Sequence, residues 1–348
     1  MKICSIVGAR PQFIKVATLS RVIKNRKDID EIMIHTGQHY DDNMSKVFFE
    51  QLKIPQPHYN LAAGGGHHGL QTGKILQALE PVLVHEKPNL VIVYGDTNST
   101  LAGTLTAVKL NIPVAHVEAG LRSFNRDMPE EINRIVTDHI ADFLFAPTRT
   151  AMDFLAKEGL SEHSVFSGDV MYDSVKFFSK SIRQRRPFYH DYYLTTIHRP
   201  ANTDNANHLL SILEAFHSFQ KKIILPAHPR LRRALNQLKI PNNVQIIEPV
   251  GYLDMLNLLF YSDLVLTDSG GLQKESFFLN KKCITLRDET EWPETLENNW
   301  NMLVGADKEK ICNAEKVKCG EYNIIEKFGN GHAAEQIIDY LLKESFKC

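Results

Sequence analysis

The fold follows from one stretch of sequence, Leu90-Val-Ile-Val-Tyr-Gly-Asp-Thr-Asn-Ser99, in which an apolar segment runs into a polar turn and then a helical pattern. Apolar side chains stand at both odd and even positions of 90–94, which is typical of a parallel strand buried on both faces. A second stretch, Leu264-Val-Leu-Thr-Asp-Ser-Gly-Gly271, repeats the arrangement in the other half of the chain. The two stretches therefore predict two α/β domains.

Short β-branched runs alternate with helical patterns on both sides of these stretches. In the first half the pattern predicts strands at 2–8, 31–36, 90–94, 114–117 and 142–146, and helices at 13–24, 43–51, 70–85, 99–109 and 129–140. In the second half it predicts strands at 192–197, 222–226, 244–247, 264–267 and 283–286, and helices at 204–218, 253–261, 271–278, 308–318 and 332–346. Because crossovers between parallel strands are right-handed, each half becomes a doubly wound, Rossmann-like layer.

Two such domains facing each other leave a cleft at the carboxyl ends of their strands, where ligands bind in open α/β sheets. We predict a first domain at 1–169, a second at 170–331, and a C-terminal helix in 332–348 that packs back on the first domain. The switch between the domains is expected in 170–190, where the basic run Arg183-Gln-Arg-Arg-Pro187 interrupts the pattern.

Composition narrows the classes of function. The chain has 348 residues, with 40 Lys and Arg against 41 Asp and Glu, and its net charge of -1 argues against nucleic acid or an anionic membrane as a partner. Its 5 cysteines include no CxxC pair, and no apolar run is long enough to span a membrane, so we expect reduced thiols and no membrane segment. The N-terminus lacks the pattern of a signal peptide, which predicts a cytoplasmic protein.

An anion site is predicted in Thr267-Asp-Ser-Gly-Gly-Leu-Gln-Lys-Glu275, which follows a strand and opens a helix. Free backbone amides and the helix dipole favour a phosphate at such a turn. The amides belong to Ser269, Gly270 and Gly271. Glu275, on the next turn, is placed to reach a ribose hydroxyl. The alternative is that Asp268 or Ser269 only caps the helix and that Glu275 is a solvated helix residue.

Two cations occur in Gly8-Ala-Arg-Pro-Gln-Phe-Ile-Lys15, which joins the first strand to the first helix. Arg10 leaves the strand end where a ligand binds, and Lys15 follows about one turn later. Together they suit a diphosphate, for which arginine provides a bidentate fork. The alternative is a pair of unrelated surface cations.

Three carboxylates in the first half lie where they can converge on one ligand. Asp96 and Glu118 end consecutive strands, and Glu130 begins a helix. Paired carboxylates at such positions suit general acid and base catalysis. As alternatives, Asp96 is the cap of the following helix, and Glu130 is a helix-start acid that pairs with Arg134 four residues on.

Histidines also stand at strand ends, His198 and His228 among them, but none of the 15 has HxxxH or HExxH spacing, so no metal site is expected. The first turn lacks the GxGxxG glycines, which argues against a nicotinamide cofactor. No GxSxG elbow occurs, which argues against an α/β-hydrolase. The glycine-rich loop 64–69 is predicted to be a flexible lid.

Eight stretches of the chain resemble those of one family, the non-hydrolysing UDP-N-acetylglucosamine 2-epimerases, and they occur in the same order over nearly the whole chain. They are Gly8-Ala-Arg-Pro-Gln-Phe-Ile-Lys15, His35-Thr-Gly-Gln-His39, Gly95-Asp-Thr97, His116-Val-Glu-Ala-Gly-Leu-Arg122, Pro129-Glu-Glu-Ile-Asn-Arg134, His198-Arg199, Thr267-Asp-Ser-Gly-Gly271 and Arg287-Asp-Glu-Thr-Glu291. In Asp41-Asp-Asn-Met-Ser45 and Gly168-Asp-Val-Met-Tyr-Asp173 the chain is most similar to the branch that epimerises a 2,3-diacetamido uronic acid form of the sugar.

The resemblance implies a glycosyltransferase-B type fold with UDP in the cleft, no metal or nicotinamide cofactor, a homodimer, and a role in making precursors of bacterial surface polysaccharide. It implies that the catalytic residues are Asp96, Glu118, Glu130 and His198. It implies that substrate and UDP are bound by Arg10, Lys15, Arg134, His228, Ser269, Gly270, Gly271, Glu275, Arg287 and Asp288.

The chemistry expected of this family is elimination of UDP to a 2-acetamidoglucal followed by re-addition, because a base alone cannot remove the C2 proton of a hexosamine. The chain departs from the family at Gln12, where Glu is usual, and at Trp292, where Arg is common. Which UDP-amino sugar is the substrate, which face of C2 each carboxylate serves, and whether a UDP-sugar is an activator all stay open. Alternatives are a hydrolysing epimerase, a glycosyltransferase of the same fold, and a non-catalytic UDP-sugar sensor.

Overall fold

The structure, a computed structural model, describes residues 1–38, 51–52 and 54–345. The chain divides into a first unit, Met1–Ser174 with Ile325–Cys348, and a second unit, Val175–Ile324. The sequence predicts these transitions after residues 169 and 331. In the structure, the first transition lies inside the helix Val170–Ile182, and the second lies at the start of the helix Ile324–Phe328.

The first unit contains a seven-stranded parallel sheet with the order β3-β2-β1-β4-β5-β6-β7. Its strands are β1 Lys2–Val7, β2 Asp30–His35, β3 Tyr59–Asn60, β4 Leu90–Tyr94, β5 Val114–Val117, β6 Phe143–Ala146 and β7 Ser164–Phe166. Every residue of β4 and β5 is buried, as expected for central strands covered on both faces. The strand order reverses between β1 and β4, so their carboxyl ends form a switch point of the kind at which ligands bind.

Helices connect the strands of the first unit. Their bounds are Arg10–Ile23, His68–Glu86, Asn98–Lys109, Pro129–Ile140, Arg149–Lys157, Val170–Ile182, Ile324–Phe328 and Ala333–Ser345. The last of these belongs to the first unit, where the Tyr340 ring lies edge-on to Phe143 and Phe145. Asp173 Oδ2 accepts the backbone N–H of Ala334 at 2.8 Å, which holds the start of this helix.

The second unit contains a six-stranded parallel sheet with the order β10-β9-β8-β11-β12-β13. Its strands are β8 Tyr192–Thr196, β9 Lys222–Pro226, β10 Val244–Ile247, β11 Leu264–Thr267, β12 Cys283–Thr285 and β13 Asn301–Leu303. Its helices are Pro200–Thr203, Ala206–His217, Pro229–Leu235, Tyr252–Tyr261, Gly270–Phe278 and Lys308–Lys316. Here the switch point lies between β8 and β11. The predicted α/β class with two Rossmann-like layers is thereby confirmed.

Some local predictions differ from the structure. The predicted lid at 64–69 is wrong in part, because His68 and Gly69 form the first turn of the helix His68–Glu86. The helix predicted at 204–218 is observed at Ala206–His217, where Asn205 caps it by accepting the amides of Asn207 and His208. A short helix that was not predicted, Pro200–Thr203, precedes it. The helix predicted at 43–51 lies almost entirely outside the described residues. Within the described part of the chain, no helix is both long enough and apolar enough to cross a membrane.

Candidate functional site

The first strand–helix turn of the chain is tied to the neighbouring strand by close contacts. A Cβ on Gly8 would lie 2.0 Å from Thr36 Oγ1, so only glycine fits there. The buried Gln12 side chain accepts the backbone N–H of Gly8 at 2.7 Å and donates to the carbonyl oxygen of Tyr94 at 2.9 Å. These contacts hold the turn at the switch point, and Arg10, which is half-buried, begins the helix there.

Lys15 and Glu118 form a buried ion pair beside the end of β4. Lys15 Nζ lies 2.7 Å from Glu118 Oε1, and their side chains are only 8% and 7% exposed. Lys15 is therefore not a surface cation. Glu118 directly follows β5 in a left-handed conformation, with φ of 76°. A Cβ on Gly95, the residue after β4, would lie 2.7 Å from Lys15 Nζ, so the ammonium occupies the space that a side chain would need.

Asp96 faces Arg134 on the helix Pro129–Ile140. Arg134 Nη1 donates to Asp96 Oδ2 at 2.5 Å, while its Nη2 donates to Glu131 Oε2 at 2.7 Å. The alternative that Asp96 caps the next helix is wrong, because Thr97 Oγ1 accepts the capping amide. Desolvation raises the pKa of Asp96 above its usual range, and this effect exceeds the opposite effects of the Arg134 and Lys15 cations. The side chain keeps 31% exposure, so the carboxylate is open to a ligand.

Glu130 lies in the first turn of the same helix, next to Glu131. The two have different surroundings. Glu131 is buried and accepts the backbone amides of Ser123 and Phe124 in addition to Arg134. These donors lower the pKa of Glu131 against the opposing effect of burial. Glu130 is half-buried, and its charge contributes to the raised pKa of Asp96. Glu131 is thus structural, whereas the charge of Glu130 acts on Asp96.

These contacts gather three carboxylates and two cations at one edge of the first sheet. The carboxylates belong to Asp96, Glu118 and Glu130, and the cations to Lys15 and Arg134. Glu118 pairs with Lys15, and Asp96, whose pKa is raised, pairs with Arg134. Several carboxyl groups at one ligand site allow one group to remove a proton while another donates one.

At the switch point of the second unit, Asp268 organises the turn after β8. Its buried carboxylate accepts the backbone amides of His198 and Arg199, the Nδ2 group of Asn202, and the His198 ring, whose Nδ1 lies 2.8 Å away. Burial alone raises the pKa of Asp268, but His198 and these donors lower it below its usual value. The His198 ring is thereby oriented while its side chain remains 50% exposed. Ser269, not Asp268, caps the following helix.

The start of the helix Gly270–Phe278 is bordered by a carboxylate and two guanidinium groups. A Cβ on Gly270 would lie 3.5 Å from Glu291 Oε1. Arg287 Nη1 lies 3.1 Å from Glu291 Oε2, and Arg199 Nη2 lies 3.9 Å from Oε1. The predicted anion site therefore has two arginines beside the amides of Gly270 and Gly271, whereas the amide of Ser269 donates to Thr267 Oγ1 at 2.9 Å.

The remaining predicted residues lie on the same sheet edge or on that helix. Glu275 is buried on the second turn of Gly270–Phe278, so it is not a solvated residue. His228 follows β9 and is exposed, and Asp288 follows β12, exposed and beside Gly305. The Lys274 ammonium lies over the Trp292 ring, 3.7 Å from its centroid, at the position where the sequence departs from its family. Among the described residues, no group of three His, Cys, Asp or Glu could hold a metal ion.

Comparison with known proteins identifies the family. The sequence profile of a family described as UDP-N-acetylglucosamine 2-epimerase matches residues 21–342. The chain is 49% identical to the UDP-2,3-diacetamido-2,3-dideoxy-D-glucuronate 2-epimerase of Pseudomonas aeruginosa, over 99% of this chain and 100% of that protein. It is 50% identical to a UDP-N-acetylglucosamine 2-epimerase homolog of Methanococcus maripaludis, over 98% of this chain and 99% of that protein. The chain belongs to the UDP-N-acetylglucosamine 2-epimerase family.

The fold of this 2-epimerase matches solved members of the family. The crystal structure of the Methanocaldococcus jannaschii UDP-GlcNAc 2-epimerase in complex with UDP-GlcNAc and UDP superimposes with a TM-score of 0.91 at 45% identity, covering 99% of this chain and 100% of that one. The Neisseria meningitidis UDP-GlcNAc 2-epimerase bound to UDP-GlcNAc gives 0.86 at 30% identity, covering 99% and 100%. The predicted family, fold type and isomerase class are confirmed.

The sequence did not indicate several residues of the 2-epimerase site that hold other side chains in place. Glu131 stands beside Glu130, the acid that the motif favours, and Asp268 is expected only as a helix cap, so the sequence does not show that they hold Arg134 and His198. Asp138 lies in the third turn of the helix Pro129–Ile140, where it holds His116 and Arg122. Its burial has no local signal, because the buried residues of this helix are all polar.

Proposed function

We propose that this protein inverts C2 of a UDP-N-acetylhexosamine, interconverting UDP-GlcNAc and UDP-ManNAc or their 2,3-diacetamido uronic acid analogues. The C1–O bond to the diphosphate breaks as a carboxylate removes the C2 proton, which leaves a 2-acetamidoglucal and UDP. Re-addition of the diphosphate oxygen to C1 and return of a proton to the opposite face of C2 give the epimer. The observation that carries this proposal is the cluster of Asp96, Glu118 and Glu130 with Lys15 and Arg134.

Inversion needs a proton acceptor on one face of C2 and a proton donor on the other. The raised pKa of Asp96 favours its protonated form compared with an ordinary aspartate, as a proton donor requires. Glu118 is held by the Lys15 ammonium and stays available as a carboxylate. We therefore assign the two faces to different carboxyl groups, with Glu130 supplying further negative charge for the oxocarbenium-like carbon.

Loss of UDP requires stabilisation of the leaving diphosphate. We assign this to Arg10 and to the amides of Gly270 and Gly271. The exposed side of the His198 ring, which Asp268 orients, suits a hydrogen bond or a proton for the departing phosphate. We assign Glu275 to the ribose, and His228, Arg287 and Asp288 to the rest of the nucleotide.

The substrate assay separates this proposal from its rivals. Purified protein is incubated with UDP-GlcNAc and, separately, with the UDP-2,3-diacetamido uronic acid, and C2 inversion is followed by NMR. An epimerase gives the C2 epimer as UDP-sugar, a hydrolysing enzyme releases free sugar and UDP, and a glycosyltransferase consumes UDP-sugar only with an acceptor. In deuterium oxide the product should carry deuterium at C2, and product without label would rule out the elimination mechanism.

A second candidate substrate has its own support. The 49% identity to a UDP-2,3-diacetamido-2,3-dideoxy-D-glucuronate 2-epimerase favours the uronic acid analogue, as do two sequence stretches of that branch. We propose that the protein acts in the cytoplasm as a homodimer and that its product serves surface polysaccharide synthesis. Turnover of only one of the two UDP-sugars in the assay decides the substrate, and light scattering decides the oligomeric state.

A further inference from the structure

Behind the carboxylates lies a buried histidine with both ring nitrogens engaged. His116, on β5 two residues before Glu118, is fully buried. Its Nε2 lies 2.7 Å from the carbonyl oxygen of Gly95, the residue before Asp96, and its Nδ1 lies 2.7 Å from Asp138 Oδ1. One side chain thus links the ends of two adjacent strands to the helix that carries Arg134.

The hydrogen-bond partners of His116 determine which of its ring nitrogens carry a hydrogen. A carbonyl oxygen can only accept, so Nε2 carries a hydrogen. Asp138 Oδ2 accepts the backbone amide of Gly120 at 3.1 Å and Arg122 Nη1 at 2.7 Å. Burial alone raises the pKa of Asp138, but His116 and Arg122 lower it below the usual value. The Arg122 guanidinium at 2.7 Å favours an ionised Asp138, and an ionised carboxylate can only accept, so Nδ1 donates to it as well.

The charges around this histidine balance one another. Arg122 also donates to both carboxylate oxygens of Glu158, from Nε and Nη2, each at 2.7 Å. His139 Nδ1 lies 3.8 Å from Glu158 Oε2. With Asp138 and Glu158 negative, a positive His116 and Arg122 make the group neutral. A buried imidazolium is sustainable only with such compensation.

We infer that His116 is a buried imidazolium that positions Asp96 and Glu118. It holds the carbonyl of Gly95, whose φ is 63°, while its partner Asp138 holds the amide of Gly120, two residues after Glu118. Both turns that carry the carboxylates are thereby fixed by one ion pair. The kinetic consequence rests on the proposed function, whereas the protonation state does not.

The protonation state can be read directly by NMR with ring-15N-labelled histidine. One histidine, identified by its loss in His116→Gln, should show two protonated ring nitrogens and two slowly exchanging N–H signals from pH 6 to 9. A spectrum with one unprotonated nitrogen for His116 would overturn the inference. This test needs no turnover, so it stands even if the epimerase activity is not found.

Kinetics test the positioning role. In Asp138→Asn the new amide can donate to Nδ1, which leaves a neutral ring that still holds Gly95. We expect kcat to fall by about 100-fold, with KM changed by less than about threefold, and the acidic limb of kcat to move to higher pH. His116→Gln, whose amide can still reach Gly95, should retain more activity than His116→Ala.

Asp153→Asn, the same substitution at an exposed position of the helix Arg149–Lys157, is the matched control and should leave kcat unchanged. Melting temperatures show which variants are folded. If folded Asp138→Asn has the kcat and pH profile of the wild type, the positioning role is excluded. If the wild type has no epimerase activity while His116 is doubly protonated, the proposed function is wrong and the inferred protonation state of His116 is right.

Discussion

The Arg134 guanidinium joins Asp96, two residues after β4, to Glu131, which lies in the first turn of the helix Pro129–Ile140 that also carries Arg134. Nη1 lies 2.5 Å from Asp96 Oδ2 and Nη2 lies 2.7 Å from Glu131 Oε2. Arg134 is nearly fully buried, so its position is set by the two carboxylates on either side. The exposed carboxylate of Asp96 is therefore held by a partner that itself cannot move.

Replacing this bridge with a point charge should impair catalysis. In Arg134→Lys the ammonium cannot span both carboxylates, so we expect kcat to fall by at least about tenfold. Weaker contact with a cation raises the pKa of Asp96 further, and activity that needs its ionised form is then lost at a higher pH on acidification. The kcat–pH profile measures this. Arg126→Lys, an exposed change, is the control, and an unmoved acidic limb in the Arg134 variant would contradict the assignment.

Removing Lys15 should affect both stability and activity. Lys15→Met leaves the Glu118 carboxylate buried without its cation, which costs about 3–5 kcal/mol in such pairs. Urea unfolding measures the loss, and the NMR assay should show little or no C2 inversion. Lys24→Met, an exposed change just after the same helix, should leave both quantities near wild type. Equal stability of the two variants would show that the Lys15–Glu118 pair is not buried as described.

A single methyl group at Gly95 should disturb the site. Gly95→Ala forces a left-handed φ on alanine, which costs about 1–2 kcal/mol, and places a Cβ 2.7 Å from Lys15 Nζ. We expect lower stability and at least about tenfold lower kcat. The control is Gly73→Ala, in the helix His68–Glu86 with open space around it, which should stabilise the protein by about 0.5–1 kcal/mol. Turnover of Gly95→Ala at the wild-type rate would argue against this placement of Lys15.

Asp173 makes stability depend on pH. Burial raises the pKa of Asp173 from 3.8 to about 6, against the lowering effect of the Ala333 and Ala334 amides. The folded state then binds more protons than the unfolded state between these values, so this residue's contribution falls as pH rises from about 4 to 6. Asp173→Asn removes that dependence.

The stability of Asp173→Asn relative to wild type should therefore increase with pH over this window, by up to about 3 kcal/mol. Thermal and urea unfolding across the pH range measure the difference. Asp339→Asn, on the exposed side of the helix Ala333–Ser345, should show a much smaller trend. A difference that does not vary with pH would contradict a buried carboxylate at Asp173.

Much of the fold could be predicted because the spacing of apolar residues along the chain reflects which strands and helices are buried. Strands β4, β5, β9 and β11, which lie inside their sheets, have the predicted bounds, since runs that are apolar on both faces fit the middle of a parallel sheet. The edge strand β10 also has the predicted bounds. The short strands Tyr59–Asn60 and Asn301–Leu303 carry no such pattern. They are strands only because a neighbouring strand supplies their hydrogen bonds.

The order of the motifs and the alternation of elements can be read along the chain. They were enough to predict the family, the two α/β units and the strand-end positions of Asp96, Glu118 and His198. Which charged groups pair could be seen only in the folded structure: Lys15 with Glu118, Arg134 with Asp96 and Glu131, and His116 with Asp138. Each pair joins residues on different elements or involves one of two adjacent carboxylates. Which groups pair depends on the distance between them and on how far each is desolvated, and local sequence encodes neither.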